Sequence, residues 1–524
     1  MAERPSTFRS LSLALRSWRT ASVVLLSFSS GLPLGLVWIA IPDWLRDSGM
    51  DIRLVGLITL AQAPWSFKFL WSPFMDRYVP PWLGRRRGWT AIAQVALFAL
   101  TLSLAGLGDH PDTPWIIGAL AFAIAFASAT QDIAIDAYAV DVLRPEEQGV
   151  AAGARIAIYR AAMYVAGGLS ITLAGQYSWP AVNAALAFLY LPMLFVTLKA
   201  PEPEEKLKPP ASLKEAVWYP FLGFLSRHRA LEILAFVVCY KLADNLATAL
   251  LRPFLVDMGY SDFDRGFALA TVGLFATLTG TFLGGILTTI LGLGHSLWFF
   301  GALQILSNIG YVFVSTSEVN RPLMYSAMGF ESFTQGLGTG AFSVLLLRMT
   351  QKRFSATQYA LFSSLFGLPR ILAGPLTGLM VDAMGWTAFF WSSMAFGIPG
   401  MVLLSRFVPL GTREPTFEVL PPSEPKPLPS SALALRGLVG GVVGFIFASG
   451  FLALMNALKK MRAKPPSSFD PWNEFLAMFQ PATPGAWITL AGIVIFALIV
   501  GLFTAAVFAA RSGHGLQADA QEAN

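Results

Sequence analysis

Ser128-Ala-Thr-Gln-Asp-Ile-Ala-Ile-Asp-Ala-Tyr-Ala-Val-Asp141 lies in the second half of a hydrophobic run that begins near Trp115. An ionised Asp at the centre of a bilayer costs roughly 2.5 to 3.5 kcal/mol even on the lenient insertion scale. A membrane helix keeps such a group only where it meets a polar cavity, a partner charge or a proton. Asp132 and Asp136 are one helical turn apart and share a face, with Gln131 beside them. The pattern is that of a polar pathway through a membrane.

Composition agrees. Hydrophobic residues make up 55% and charged residues 13% of the 524, against about 25% charged in a soluble protein, so an all-α polytopic membrane protein is expected. The 41 Phe and 15 Trp suit lipid contact and interfacial anchoring. The formal charge of +6 is small for this length and fits basic cytoplasmic loops rather than nucleic-acid binding. Cys239 is the one cysteine, so no internal disulfide and no cysteine metal site can form. His110, His228, His295 and His514 show no ligand spacing, and no metal is expected. The apolar stretch from about Ala21 to Ile41, behind Arg4, Arg9, Arg16 and Arg19, is longer than a signal-peptide core and has no small-x-small cleavage site, so it reads as a retained first span.

Runs long enough to span recur at about 22–41, 52–72, 89–108, 114–138, 150–174, 180–198, 230–256, 266–290, 296–316, 322–347, 357–381 and 386–408, then 432–456 and 484–510. That is about fourteen helices by the 20-residue criterion. Residues 1–198 form a six-helix half, 199–229 a central polar loop with a possible amphipathic surface helix, and 230–408 a second six-helix half. A Pro-rich linker (409–431), an appended helix pair (432–510) and a tail (511–524) follow. Two six-helix halves are the layout of a transporter that rocks around a midplane site. An unrelated helical bundle with one long loop is the alternative from layout alone.

The basic residues set the expected orientation. With the N-terminus inside, cytoplasmic segments collect the N-terminal arginines, Arg77, Arg85–Arg87, Arg144, Arg155, Lys199, Lys206, Lys208, Lys214, Arg227, Arg229, Arg348, Lys352, Arg353, Arg406, Arg413, Lys426 and Arg436. Outside loops of the two halves hold only Arg46, Arg53, Arg252, Arg265 and Arg321. Both termini are therefore expected in the cytoplasm. Lys459, Lys460, Arg462 and Lys464, between the last two helices, run against this pattern.

Between the second and third spans stands Ser72-Pro-Phe-Met-Asp-Arg-Tyr-Val-Pro-Pro-Trp-Leu-Gly-Arg-Arg-Arg-Gly88. It resembles the loop signature of the major facilitator superfamily, with a longer spacing from Arg77 to Gly84. Asp76, Arg77, Arg85 and Arg86 are candidate gating residues that bridge helix ends. The bland reading, a positive-inside loop, needs Arg85 to Arg87 but not Asp76. Within the spans lie further charges: Lys68 and Arg160, both within reach of a cytoplasmic end and read as structural or cavity charges, then Lys241 and Asp244, Glu331 and Gln335, and Arg370. Lys241 and Asp244 are three apart and can pair on one face as a cavity-lining pair. Any one charge could snorkel or serve a structural ion pair. Together they point to a wide, polar, two-sided cavity for a large hydrophilic substrate.

Gly336-Leu-Gly-Thr-Gly340 lacks a preceding strand, and no Gly-x-x-x-x-Gly-Lys-Ser/Thr occurs anywhere. Close helix packing is the better account of these glycines. Without a nucleotide site, the energy source expected is a gradient, and the buried carboxylates offer places for a proton. No cofactor is expected. Asp132 and Asp136 are the candidate proton-coupling residues, and Gln131, Lys241, Asp244, Glu331, Gln335 and Arg370 the candidate substrate contacts.

The strings Phe69-Leu-Trp-Ser-Pro-Phe-Met-Asp-Arg-Tyr78, Gly84-Arg-Arg-Arg-Gly-Trp89, Ser128-Ala-Thr-Gln-Asp132, Tyr240-Lys-Leu-Ala-Asp244 and Phe354-Ser-Ala-Thr-Gln-Tyr-Ala-Leu361 resemble those of the AmpG family of muropeptide permeases, over roughly residues 20–408. The resemblance implies a major facilitator fold and an importer in the inner membrane of a Gram-negative bacterium, driven by the proton-motive force. Its substrates would be N-acetylglucosaminyl-1,6-anhydro-N-acetylmuramyl peptides from cell-wall turnover, with a monomer as the working unit. Residues 409–524 carry no matching motif. The alternatives are a related carrier of another large anion such as an acyl-CoA, or an exporter. A membrane-embedded transferase is a different class, which would place catalytic His or Asp motifs in interfacial loops rather than inside helices.

Overall fold

The computed structural model describes residues 16–50, 59–108, 114–203, 208–417, 427–463 and 469–513. Arg4, Arg9, Arg53, Lys206, Lys426, Lys464, His110, His514 and the first part of the second expected span lie outside the described residues. The elements are all helical. Eleven helices among the described residues are long and apolar enough to cross a membrane.

The helices of the first half are α1 (Trp18–Asp47), α2 (59–77), α3 (Arg85–Ala105), α4 (Pro114–Val142), α5 (Gln148–Ala174) and α6 (Trp179–Lys199). The second half has α7 (Ala230–Asp257), α8 (Gly273–Leu291), α9 (Leu293–Thr316) and α10 (Arg321–Met349). It closes with a helix from Ser355 to Ala395 that turns at Gly385, where φ is 77°. Only glycine takes that angle readily, and the turn separates α11 (355–384) from α12 (386–407). The appended helices are α13 (Ser430–Ala463) and α14 (Pro484–Arg511).

Eleven is fewer than the expected count of about fourteen spans: α2, whose first part lies outside the described residues, α10 and the first part of α11 are not among them. The second expected span is not one regular helix over its described part. It passes through Thr59–Gln62, Ala63–Phe67, Lys68–Leu70 and Ser72–Arg77, alternating tight and regular turns. Pro64 and Pro73, which cannot donate to the preceding turn, account for the breaks. α10 is 29 residues long but carries Glu331, Arg348 and a string of Gly, Ser and Thr. α11 carries Arg370 and joins α12 through the turn at Gly385.

The chain divides into two compact units: 1–216 with 231–416, and 217–230 with 417–524. The central segment 199–229, expected as one loop, is therefore split, its last part belonging with the appended pair. In the first unit, one apolar cluster centres on Trp44 stacked on Trp179, at 5.4 Å between rings. A second cluster is built around Phe254, Tyr311, Trp386 and Phe390. A third joins Met75, Ile133, Ala134 and Ala137 of the first half to Ala356 and Ala360 of the second.

In lipid, helices associate through close packing of small residues rather than through expulsion of water. α5 and α8 meet in this way across the two halves. A Cβ on Gly153 would sit 2.8 Å from the Thr281 carbonyl, and one on Gly285 would collide with the Gly149 carbonyl. The α10 glycines do the same: a Cβ on Gly336 or Gly340 would press into the backbone of Thr277–Gly285. Helix packing thus occupies the stretch 336–340. In the second unit, α13 and α14 pack through Gly437, Gly441 and Gly501.

Candidate functional site

The halves are tied together at the end of the bundle that carries Arg85–Arg87. Asp76, fully buried at the end of α2, accepts from Arg86 (2.8 Å) and, across the halves, from the Ala356 N–H (3.3 Å), the Thr357 N–H (2.8 Å) and the Thr357 hydroxyl (2.7 Å). The Asp76 carboxylate thus caps the first turn of α11, where free N–H groups and the helix dipole favour an anion. Arg86 also donates to Asp141 (2.8 Å) and to Ser355 (2.6 Å), and the Ser355 hydroxyl donates to Asp141 (2.6 Å). Arg85 donates to the Arg353 carbonyl at 3.2 Å, and Arg348 to Gln148 at 3.3 Å. Arg77, grouped with the gating residues from sequence, stands apart from these bonds. Its guanidinium lies 5.6 Å from the Tyr78 ring centre. Asp141 and Ser355, which complete the network, were not singled out from sequence.

Beyond this latch a cavity of about 920 Å³ lies between the halves, at the upper end of the range for sites that hold sizeable small molecules. From the first half it is lined by Ser30, Lys68, Asp132, Asp136, Arg155, Tyr159 and Arg160. From the second it is lined by Arg252, Glu331, Gln335, Tyr359 and Arg370. Five cations face three carboxylates, so the lining carries +2 even with every carboxylate ionised.

α4 brings Asp132 and Asp136 to the wall because they are one turn apart. Their surroundings differ. Asp136 sits between two cations, Lys68 at 3.3 Å and Arg155 on its other oxygen. Asp132 takes a hydrogen bond from the Ser30 hydroxyl. Among the described residues no cation is in ion-pair contact with it. Glu331 is 2% exposed; one oxygen accepts from Tyr311 (3.2 Å), and the other has no hydrogen-bond partner among the described residues.

Three expected substrate contacts are elsewhere. Gln131 is fully buried and donates to Ser29 of α1 at 3.1 Å, because a residue one step from Asp132 points about 100° away from it. Lys241 and Asp244 do pair, at 3.0 Å, but behind the cavity wall rather than on it. Lys241 is held there by Gln304 and by the Gln335 carbonyl at 3.0 Å. The i,i+3 spacing allows the pair, and the expectation that it lines the cavity is not met.

Ser30, Arg155, Tyr159, Arg252 and Tyr359 line the cavity and were not singled out from sequence, and the two on α5 are the most telling. Arg155, counted from sequence as a cytoplasmic loop cation, is inside α5 and pairs with Asp136. Tyr159 follows one turn later. Both reach the wall beside α1, onto which α5 packs so closely that Cβ atoms on Gly31 and Gly35 would collide with the Tyr159 and Met163 carbonyls. Arg155 and Tyr159, one turn apart on one face of α5 with Arg160 next in sequence, were the available signal.

Residues 23–374 match the profile of the Major Facilitator Superfamily. The chain is 40% identical over 388 residues to the anhydromuropeptide permease of Escherichia coli K12, covering 74% of this chain and 79% of that one. It is 28% identical over 400 residues to a Rickettsia felis protein bearing the name AmpG 4, covering 74% and 96%. The crystal structure of the human organic anion transporter MFSD10 superposes with a TM-score of 0.53 at 15% identity, over 76% of this chain and 100% of that one, a likeness of fold. The protein is a polytopic membrane permease and not an enzyme. The chain belongs to the major facilitator superfamily, within the AmpG family of permeases.

Proposed function

We propose that this protein imports cell-wall turnover muropeptides, N-acetylglucosaminyl-1,6-anhydro-N-acetylmuramyl peptides, from periplasm to cytoplasm, by alternating access coupled to inward proton movement. The observation that carries the reading is the large, charge-lined cavity between two halves latched at one end, in a chain 40% identical to the Escherichia coli anhydromuropeptide permease. The basic latch end is assigned to the cytoplasm by the positive-inside rule, so the cavity faces the periplasm in this conformation. Its membrane is then the inner membrane of a Gram-negative bacterium, with both termini in the cytoplasm and one chain as the working unit. Imported fragments would feed peptidoglycan recycling.

Asp132 is the proton carrier in this scheme. Asp136 is held by two cations, and protonating it would break both ion pairs. Asp132 has no such pair to break, lines the same cavity, and can take a proton there without disturbing the wall. Opening of the latch exposes the cavity to the cytoplasm, where proton and ligand leave. Glu331, with its unpartnered oxygen, is the corresponding acid in the second half. No cofactor enters the cycle. The test is uptake of labelled anhydromuropeptide into energised vesicles, with and without an uncoupler. Uptake that depends on the protein and collapses with the gradient supports the reading. Uptake indifferent to the uncoupler removes proton coupling, and absence of uptake removes the substrate.

A further inference from the structure

Most charges inside the first unit have an evident partner. Lys68 and Arg155 share Asp136, and Lys241 has Asp244. Arg160 on α5 and Arg370 on α11 have none: among the described residues neither makes a hydrogen bond or an ion pair, and both line the cavity. They come from opposite halves, their charges repel each other, and Tyr159 lies close to both. A guanidinium held at membrane depth without a counter-ion is costly. Two of them facing one cavity with net positive charge mark a place where the counter-ion arrives with the ligand.

We propose, resting on the transport reading above, that Arg160 and Arg370 form a carboxylate clamp, one guanidinium from each half, that takes the peptide carboxylates of the ligand. The planar fork of arginine matches a carboxylate with two parallel hydrogen bonds, a geometry that lysine cannot supply. The clamp also bears on the cycle. While it is empty, the two cations push the halves apart at the level of the cavity. A ligand carrying carboxylates neutralises both and removes the opposition to closure over the bound molecule. Selection by charge and commitment to closure then belong to the same pair of residues.

The experiment measures initial uptake into right-side-out vesicles of two labelled ligands: anhydrodisaccharide tripeptide, and the same compound with its peptide carboxylates amidated. A hydrogen bond to a charged partner contributes about 1.5–3 kcal/mol, so its loss raises KM roughly ten- to hundredfold. The wild-type chain is expected to show that preference for the acid over the amide. Arg160→Gln and Arg370→Gln are each expected to raise the KM for the acid and to bring the ratio of the two KM values towards one. Arg160→Lys and Arg370→Lys, which keep the charge and lose the fork, are expected to retain part of the preference. Equal KM values for the two ligands in the wild-type chain overturn the clamp while leaving the transport reading intact. A preference that persists undiminished in both Gln variants also overturns it. The wild-type comparison decides even where a variant fails to insert. Wild-type uptake of neither ligand overturns the transport reading, and the clamp with it.

Discussion

Asp76→Asn is the substitution whose effect follows most directly from the latch. The carboxylate accepts four hydrogen bonds, three of them from the first turn of α11 in the other half. An amide of the same shape keeps one acceptor oxygen and turns an NH₂ group towards donors. At least two charge-assisted bonds are lost, at about 1.5–3 kcal/mol each, so the latched state weakens by roughly 3–6 kcal/mol. When the latch is open the group meets water and little is lost, so the penalty falls on one state only. A population of 99:1 in favour of the latched state would then shift to about parity or beyond. The assay uses a Cys239→Ser background with a single cysteine placed on the cavity wall as Thr339→Cys. A membrane-impermeant maleimide is applied in turn to each face of the membrane. The parent should label from the face opposite the latch. Asp76→Asn should label more slowly from that face and gain labelling from the latch face. An unchanged labelling pattern in a folded, inserted variant would refute the assignment of Asp76 to conformational control.

Four further outcomes are expected. Asp132→Asn should abolish gradient-driven uptake while inserting normally, and retained accumulation with wild-type pH dependence would remove Asp132 from the coupling. Neutralising Lys241 or Asp244 alone should destabilise the protein by about 3–5 kcal/mol, since each leaves an uncompensated buried charge, whereas replacing both with apolar residues of similar volume should cost much less; thermal unfolding in detergent separates these. The Asp264 carboxyl, outside the spans, is held below its ordinary pKa by the Ser261 hydroxyl (2.6 Å), then by Tyr325 (2.9 Å) and Arg321 (2.9 Å). Its stabilising contribution is therefore complete above the unfolded value of about 3.9 and is lost as pH falls through the lowered folded value; the Tm difference between wild type and Asp264→Asn should be constant near neutrality and shrink only in strong acid. A chain ending after Thr416 should insert and transport, because Arg413 and Glu414, which bond to Gly294 and Arg348, remain, and the first unit closes at that residue; loss of uptake from a folded truncated protein would give the appended helices a part in the cycle.

What sequence made legible was the cost of charge in an apolar run. Asp132 and Asp136 stood out because nothing but a cavity, a partner or a proton explains an acid there, and the structure puts both on the cavity wall. The loop signature was legible for the same reason: Asp76 has no use in a merely basic loop, and it is the residue that caps α11. Helix direction about its own axis was not legible. In a soluble bundle the apolar stripe tells which side faces the core. In lipid the outer face and the packed face are both apolar, so the pattern loses its polarity. Lys241 and Asp244 pair as their spacing allows, yet nothing in the sequence said that they turn towards Gln304 rather than towards the cavity.

Arg155 illustrates the opposite failure, in which a sound rule claims a residue that belongs to another. Positive-inside counting takes every arginine near a span end as a loop charge, and Arg155 is only seven residues into α5. Counting by helical face gives a different answer. Arg155 and Tyr159 are one turn apart, which sets them on one strip of α5, and Arg160 stands about 100° around from Tyr159. That strip runs beside α1, where Cβ atoms on Gly31 and Gly35 would collide with the Tyr159 and Met163 carbonyls. α5 reaches Asp136 through Arg155, and its Arg160 lines the same cavity as Arg370. A charge at a helix end is thus better judged by the residues one turn further in than by its distance from the membrane surface. On that criterion α5, and not only α4, is the helix whose polar face runs along the cavity.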